Sequence, residues 1–226
     1  MPLLLNIDTA TESASVCLTQ NGILRSIIKS ENQKEHASFI HAAISDLFGN
    51  TGYTLKDLDA VAITSGPGSY TGLRVGMATA KGFCYSLSIP LIAVNTLEVM
   101  TKAALDATED GGALLFCPMI DARRMEVFTA IYNSKLEEIL SPAAIVLEDG
   151  LFEKYLIDRK VLFFGNGSEK FSRIYSGPNA LFKSIQHNAK HLGDLANGLF
   201  EKKIFSNISY SEPTYFKEFH SITKTN

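Results

Sequence analysis

Ser65-Gly-Pro-Gly-Ser-Tyr-Thr-Gly-Leu-Arg-Val-Gly76 follows a short apolar run, Ala60 to Thr64, and opens into a stretch of small residues with helical spacing. A strand, a glycine-rich turn and a helix in direct succession specify an α/β unit. Glycine removes the Cβ obstruction, so the backbone here can approach an anion or a neighbouring segment closely. Two uses follow: a phosphate cradle, or a turn that permits tight strand-to-helix packing. Several particular cradles are excluded by spacing. The third glycine, Gly72, stands one residue late for a dinucleotide fingerprint, and no acid ends the following strand. The chain contains no Gly-Lys-Ser/Thr, and the spacing around Ser69 is wrong for a serine-hydrolase elbow.

The elements on either side read clearly. Leu3 to Asp8 is a short apolar strand, and Ala14 to Gln20 alternates through Val16 and Leu18. Asn21-Gly22 marks a tight hairpin into a strand over Ile23 to Lys29. A helix follows from about His36 to Phe48, with Ile40, Ile44 and Leu47 as its stripe. Thr54-Leu-Lys-Asp57 has the form of a capping box. After the glycine turn come a helix over Gly72 to Leu87, a strand over Leu91 to Val94 and a helix from Thr96. The acidic, glycine-closed stretch Asp106 to Gly112 marks a boundary between an N-terminal lobe over 1–107 and a C-terminal lobe over 108–226. In the second lobe, strands are expected at Ala113 to Asp121, Glu126 to Tyr132 and Val161 to Phe164. Helices are expected near Leu151 to Leu156 and His191 to Lys202, and the tail from Tyr210 carries no assignment. Early strands followed by mixed elements in two pieces imply a two-lobed α/β fold.

Composition sets the functional classes aside one by one. At 46% hydrophobic and 20% charged, the 226-residue chain reads as a globular protein with room for two cores. A net charge of −3, with Arg123-Arg124 and Lys202-Lys203 as its dense basic pairs, argues against autonomous nucleic-acid binding. The three cysteines, Cys17, Cys84 and Cys117, form no Cys-x-x-Cys pair and sit among apolar neighbours, as in a reducing compartment. The opening residues read as a strand rather than a signal peptide, and no apolar run approaches membrane-spanning length, so the expected location is the cytoplasm, away from membranes.

Candidate site residues carry two readings each. Asp8, Thr9 and Thr11, with Gly66 and Gly68, stand where phosphotransferases of the actin, Hsp70 and sugar-kinase superfamily hold magnesium on a carboxylate and bring hydroxyls to phosphate, and by that likeness could form a nucleotide site. Asp8 could equally only cap its own turn. His36 and His41 are five apart on a helix and cannot share a metal. His187 and His191 have helical ligand spacing, but no acid follows His187. On the Gly72 to Leu87 helix, Gly72, Gly76 and Ala80 form a line of small residues beside Leu73 and Met77. That line suits packing on the protein's own sheet or close contact with another chain.

Taken together, these residues resemble the TsaB family, a subunit of the bacterial machinery that makes threonylcarbamoyladenosine in tRNA. The likeness rests on Leu5-Asn-Ile-Asp-Thr-Ala10, Ser65 to Arg74, Ala80-Lys-Gly82 and Pro90 to Leu97, with Ile120-Asp-Ala-Arg123 and Glu126-Val-Phe128 in the second half. Pro213-Thr-Tyr215-Phe-Lys217 departs from the family's Pro-x-Tyr-Leu-Arg. The resemblance implies a two-lobed actin-like/Hsp70-like, RNase H-like fold. It also implies a noncatalytic subunit that pairs with a TsaD-like catalytic paralogue and a TsaE-like ATPase, and that forms a homodimer when alone. Their joint product would be threonylcarbamoyl on adenosine 37 of tRNA, with tRNA reached only through the complex. No tightly bound cofactor is expected; ATP or ADP belongs, if anywhere, at the complex interface.

The paralogue shares the glycine loop and then reads Val-Asn-His-x-x-x-His, whose histidines bind its metal; here Thr96 and Met100 stand at those positions. A hydroxyl and a thioether do not replace paired imidazoles. The expected partner contacts are Phe39, Ile40, Gly72, Leu73, Gly76 and Met77. The rival reading is an ATP-dependent phosphotransferase or nucleotide hydrolase of the actin-like superfamily. Against it, the second half offers only Phe163-Phe-Gly-Asn-Gly167 as a second phosphate loop. A glycoprotease has neither zinc pair nor nucleophile elbow to support it.

Overall fold

The computed structural model describes residues 1–30, 36–109 and 112–216, with the side chains of 36 and 37 outside the described set. The first half runs β1 (Leu3–Asp8), β2 (Ala14–Gln20), β3 (Ile23–Ser30), α1 (His36–Thr51), β4 (Ala60–Thr64), α2 (Tyr70–Leu87), β5 (Leu91–Val94) and α3 (Thr96–Asp106). The second half repeats that order element for element. It runs β6 (Leu115–Asp121), β7 (Glu126–Tyr132), β8 (Glu138–Val146), α4 (Glu153–Leu156), β9 (Val161–Phe164), α5 (Ser168–Ser172), β10 (Ala180–Lys183) and α6 (Ala189–Glu201).

Two five-stranded sheets result, ordered β3-β2-β1-β4-β5 and β10-β9-β6-β7-β8. In each, the first three strands form an antiparallel meander and the fourth returns parallel to the first, with the fifth parallel beside it. This is the RNase H-like order, used twice, of the actin-like fold. β1, β4 and β9 are buried along their whole length, because helices or side chains cover both faces of each sheet.

Four apolar layers hold the molecule together. Leu5, Ile7 and Ile63 on one face of the first sheet pack under Ile40, Ile44 and Leu47 of α1 and Met77 and Ala80 of α2. On the opposite face, Leu4, Ala62 and Val94 meet Leu192 and Ala196 of α6. The second sheet packs Phe116, Ile120 and Phe164 against Leu97, Met100 and Ala104 of α3. Its other face is filled by Phe152, Phe163 and Phe171, with ring centroids 4.8 to 5.5 Å apart. The lobes have therefore exchanged helices: α3 of the first half seats on the second sheet, α6 of the second half seats on the first, and the two pack on each other.

The elements that sequence missed have physical reasons. β8 carries Pro142 and two register irregularities against β7, which blurs its alternation; it lies at a sheet edge, where proline is tolerated. β10 is four residues long and also an edge. The capping box at Thr54 does form, with Thr54 N donating to Asp57 Oδ2 at 2.7 Å, and it starts a short 3₁₀ turn over Leu55–Asp57. Of the unassigned tail, residues 210–216 are ordered along the first lobe and Lys217 to Asn226 lie outside the described residues.

Candidate functional site

The glycine turn between β4 and α2 is closed on the protein itself. Ser65 N donates to Val94 O (2.8 Å), Gly66 N to Thr96 Oγ1 (3.1 Å), Ser69 N to Ala10 O (2.7 Å) and Gly72 N to the N-capping Ser69 Oγ (3.3 Å). A Cβ at Gly68 would lie 2.0 Å from Ala10 O, and one at Gly76 would lie 2.4 Å from Thr9 Oγ1. These glycines are required because the β1–β2 turn presses directly on the loop and on α2. A strap of tail residues closes the remaining side. Thr214 N donates to Ser65 O (2.7 Å), Lys81 Nζ to Ser211 O (3.1 Å) and Arg74 Nε to Tyr215 Oη (3.3 Å), while Tyr215 packs on Tyr70.

Asp8 and Thr9 are buried beneath this contact, each 1% exposed or less. Asp8 Oδ1 accepts from Thr64 Oγ1 (3.0 Å) and from Ala10 N (3.3 Å), the second being the turn-capping bond that the local sequence allows. Thr9 Oγ1 donates to Gly72 O at 2.8 Å. An actin-like fold implies magnesium and nucleotide phosphate at this place, and these residues do not fit them. The amides of Ser65, Gly66, Ser69 and Gly72 already have acceptors, Thr9 is bound to α2, and Asp8 faces Thr64 and His187. Of the nucleotide candidates, the structure brings Asp8, Thr9, Gly66 and Gly68 together as packing, while Thr11 stands apart on a cavity wall.

That cavity, about 720 Å³, lies between the lobes. The β1–β2 turn supplies Thr11, Glu12 and Ser13, and the turn after β9 supplies Gly165 and Asn166. Met100 lines it too, its methyl lodged against Gly165, where an added Cβ would come within 2.5 Å. His187, buried, lines the same space with Nε2 3.4 Å from Asp8 Oδ2. Sequence paired His187 with His191 on a helix, but α6 starts at Ala189, and His191 Nδ1 instead accepts from Asn188 N at 3.1 Å. No sequence signal joins residue 187 to residue 8; only the return of the chain to the first sheet does. Among the described residues, no three His, Cys, Asp or Glu side chains are grouped to hold a metal ion.

Elsewhere the chemistry is subdued. Burial pushes the thiols of Cys17 and Cys117 up to about 12 and that of Cys84 up to about 11, so none is a ready nucleophile near neutral pH. Asp121, at the end of β6, is exposed. Partial burial alone would raise its carboxyl, but the Lys170 ammonium (2.7 Å) and the Arg123 amide (2.6 Å) outweigh that and hold it below the usual range.

The predicted contact residues are corrected by burial. Ile40, Gly72, Leu73, Gly76 and Met77 are buried in the chain's own core, and Phe39 is half-buried. The five buried residues form the inner faces of α1 and α2, packed on the first sheet and covered by the chain itself, while Phe39 packs against the same core with part of its surface exposed. The outer faces present Ser38, His41, Ala42 and Ser45 on α1 and Thr71, Arg74, Ala78, Gly82 and Tyr85 on α2. A shallow groove of about 370 Å³ runs between them, lined by His41, Ala78, Gly82 and Ser86. The small-residue line pointed inward because Gly76 must clear Thr9. His36, the other histidine of α1, has its side chain outside the described residues. Among the described residues, no helix is long and apolar enough to cross a membrane.

Comparison with known proteins places this geometry. The family model TsaD, tRNA N6-adenosine threonylcarbamoyltransferase, matches residues 22–220. The chain is 34% identical over 166 residues to the tRNA threonylcarbamoyladenosine biosynthesis protein TsaB of Bacillus subtilis (strain 168), covering 72% of this chain and 70% of that protein. It is 36% identical over 130 residues to the protein of the same name from Escherichia coli (strain K12), covering 58% of this chain and 54% of that one. The match thus spans about half the length of the second relative. Among solved structures, YeaZ from Pseudomonas aeruginosa superposes with a TM-score of 0.82 at 25% identity, covering 95% of this chain and 100% of that one.

Proposed function

The chain belongs to the TsaB family of tRNA threonylcarbamoyladenosine biosynthesis proteins, and on that premise we propose that it is the noncatalytic docking subunit of the complex that places threonylcarbamoyl on adenosine 37 of tRNA. The observation that carries this reading is the state of Thr96 and Met100. In the catalytic paralogue the matching positions are the metal-binding histidines. Here Thr96 is fully buried with its hydroxyl bonded to Gly66 N, and Met100, 3% exposed, belongs to the α3 core. Both side chains are committed to packing, and the adjoining loop has its Ser65, Gly66 and Ser69 amides engaged. The position holds the fold together.

The partner is a TsaD-like catalytic subunit, and the docking face is the outer surface of α1 and α2. Its alanine, glycine and serine residues allow helices of another chain to approach closely, while Tyr85, 81% exposed, supplies an apolar anchor. The same face serves a homodimer when the partner is missing. A TsaE-like ATPase joins the assembled pair and brings any ATP or ADP to the interface. Contact with tRNA falls to the partners, in keeping with a net charge of −3.

Size-exclusion chromatography of this chain with its catalytic paralogue tests the pairing. A heterodimer peak is expected for the wild type and should be lost in Ala78→Arg and Gly82→Arg, which load charge onto the groove without touching the core. Absence of any new peak would overturn the docking reading. Depletion of the gene should deplete threonylcarbamoyladenosine from tRNA nucleosides, and an unchanged level would overturn the pathway assignment.

A further inference from the structure

We propose that the cavity between the lobes is a binding site for an uncharged nucleoside, a ligand with several hydroxyls and one flat ring, and that it discriminates against nucleoside triphosphates. The site lies away from the docking face, so the proposal does not rest on that reading. A volume of about 720 Å³ is the size of a small-molecule site rather than a packing defect.

Its polar lining has hydrogen-bonding capacity left over. The hydroxyls of Thr11, Ser13 and Ser184 and the amide of Gln186 line the cavity and make no side-chain hydrogen bond among the described residues. His187 adds a deeper group. It is 8% exposed, and its Nε2 is buried without a hydrogen-bond partner, 3.4 Å from Asp8 Oδ2 and out of line for a bond. A buried ring nitrogen without a partner, on a residue that lines the cavity, is a polar group that a bound ligand can satisfy.

Charge points the same way. The β1–β2 turn, where a phosphate would approach Asp8, presents the Glu12 carboxylate instead, bridged to Asn166 Nδ2 at 3.4 Å. Among the described residues, Lys183 is the one Lys or Arg on the lining, and the Ser65, Gly66 and Ser69 amides of the glycine loop already have acceptors. Mixed hydroxyl and amide groups recognise a sugar by paired donors and acceptors, whereas phosphate calls for clustered donors and positive charge. Apolar groups line it as well: Phe182, half-buried and stacked on Phe163 at 5.4 Å, offers an aromatic surface, which suits a flat ring that a free sugar lacks.

Calorimetric titration of the full chain alone with adenosine, Mg-ATP and ribose tests this directly. Adenosine should bind, with Mg-ATP and ribose each weaker by about tenfold or more. Ser13→Val and Gln186→Leu, both at accessible positions that leave the core intact, should each weaken adenosine by about tenfold. Amide shifts in ¹H–¹⁵N spectra should fall on Thr11 to Ser13 and Ser184 to His187. Mg-ATP or ribose binding as tightly as adenosine would overturn the proposal. So would adenosine binding unchanged by both variants, or no response to adenosine by either method.

Discussion

The two lobes carry the same device at the same place, and they use it in opposite ways. β1 and β6 each end in an aspartate, Asp8 and Asp121, and β4 and β9 each run into a glycine turn. In the first lobe the turn presses on the aspartate's own hairpin, so Asp8 is sealed beneath Ala10 and the loop. In the second lobe the turn stands open to the inter-lobe cavity, and Asp121 reaches solvent with Lys170 beside it. The flanking helices differ in step: α1 and α2 have 16 and 18 residues, whereas α4 and α5 have 4 and 5, with phenylalanines filling the volume the short helices leave. A repeated strand order therefore fixes where a site can lie but leaves burial to decide its chemistry.

Substitutions at matched positions can break that contrast. Gly68→Ala should be the most severe, with a loss above about 4 kcal/mol in urea unfolding, because its Cβ would fall 2.0 Å from a carbonyl oxygen that cannot move. Gly167→Ala, whose Cβ would sit 2.9 Å from Val127 Cγ1 and 3.0 Å from backbone, should cost about 1–3 kcal/mol. Equal losses would mean that the first turn is no tighter than the second. Asp8→Ala ranks between these two glycines, at about 2–4 kcal/mol, since it strands the buried donors Thr64 Oγ1 and Ala10 N. Thr96→Val should cost about 1–2 kcal/mol by leaving Gly66 N without its acceptor, read as a lowered thermal midpoint.

The smallest effect belongs to Asp121→Asn, under about 1 kcal/mol at neutral pH, because the pair with Lys170 is partly solvated. Its sign with pH is the informative part. The folded-state value of Asp121 lies below its ordinary 3.8, so its contribution is present above that value and fades as pH falls through the folded one. Stability curves of wild type and variant should converge in acid. Curves that stay parallel would show that Lys170 does not hold the carboxylate.

Much of this was legible from residues. The run Ala60 to Gly76 fixed the α/β unit because glycine spacing and small residues obey local geometry. Asn21-Gly22 placed its hairpin for the same reason. The side of a helix that faces inward was harder to read: Gly72, Gly76 and Ala80 suit either side, and only the proximity of Thr9 to Gly76 decides it. The cavity was illegible, since Thr11, Asn166 and His187 are far apart in sequence and no local period links them. β8 was hidden by Pro142, which obeys the rules of an edge that a linear pattern does not reveal.

The exchange of α3 and α6 has a consequence for how the chain comes into being. The first sheet is synthesised early, yet the helix that covers its second face begins only at Ala189. Until that segment leaves the ribosome, Leu4, Ala62 and Val94 have no permanent cover, so the first lobe cannot mature ahead of the second. A truncation ending before Ala189 should expose that face and aggregate, even though every strand of both sheets is present. The two halves look like separable copies, but they complete one another and must fold as one.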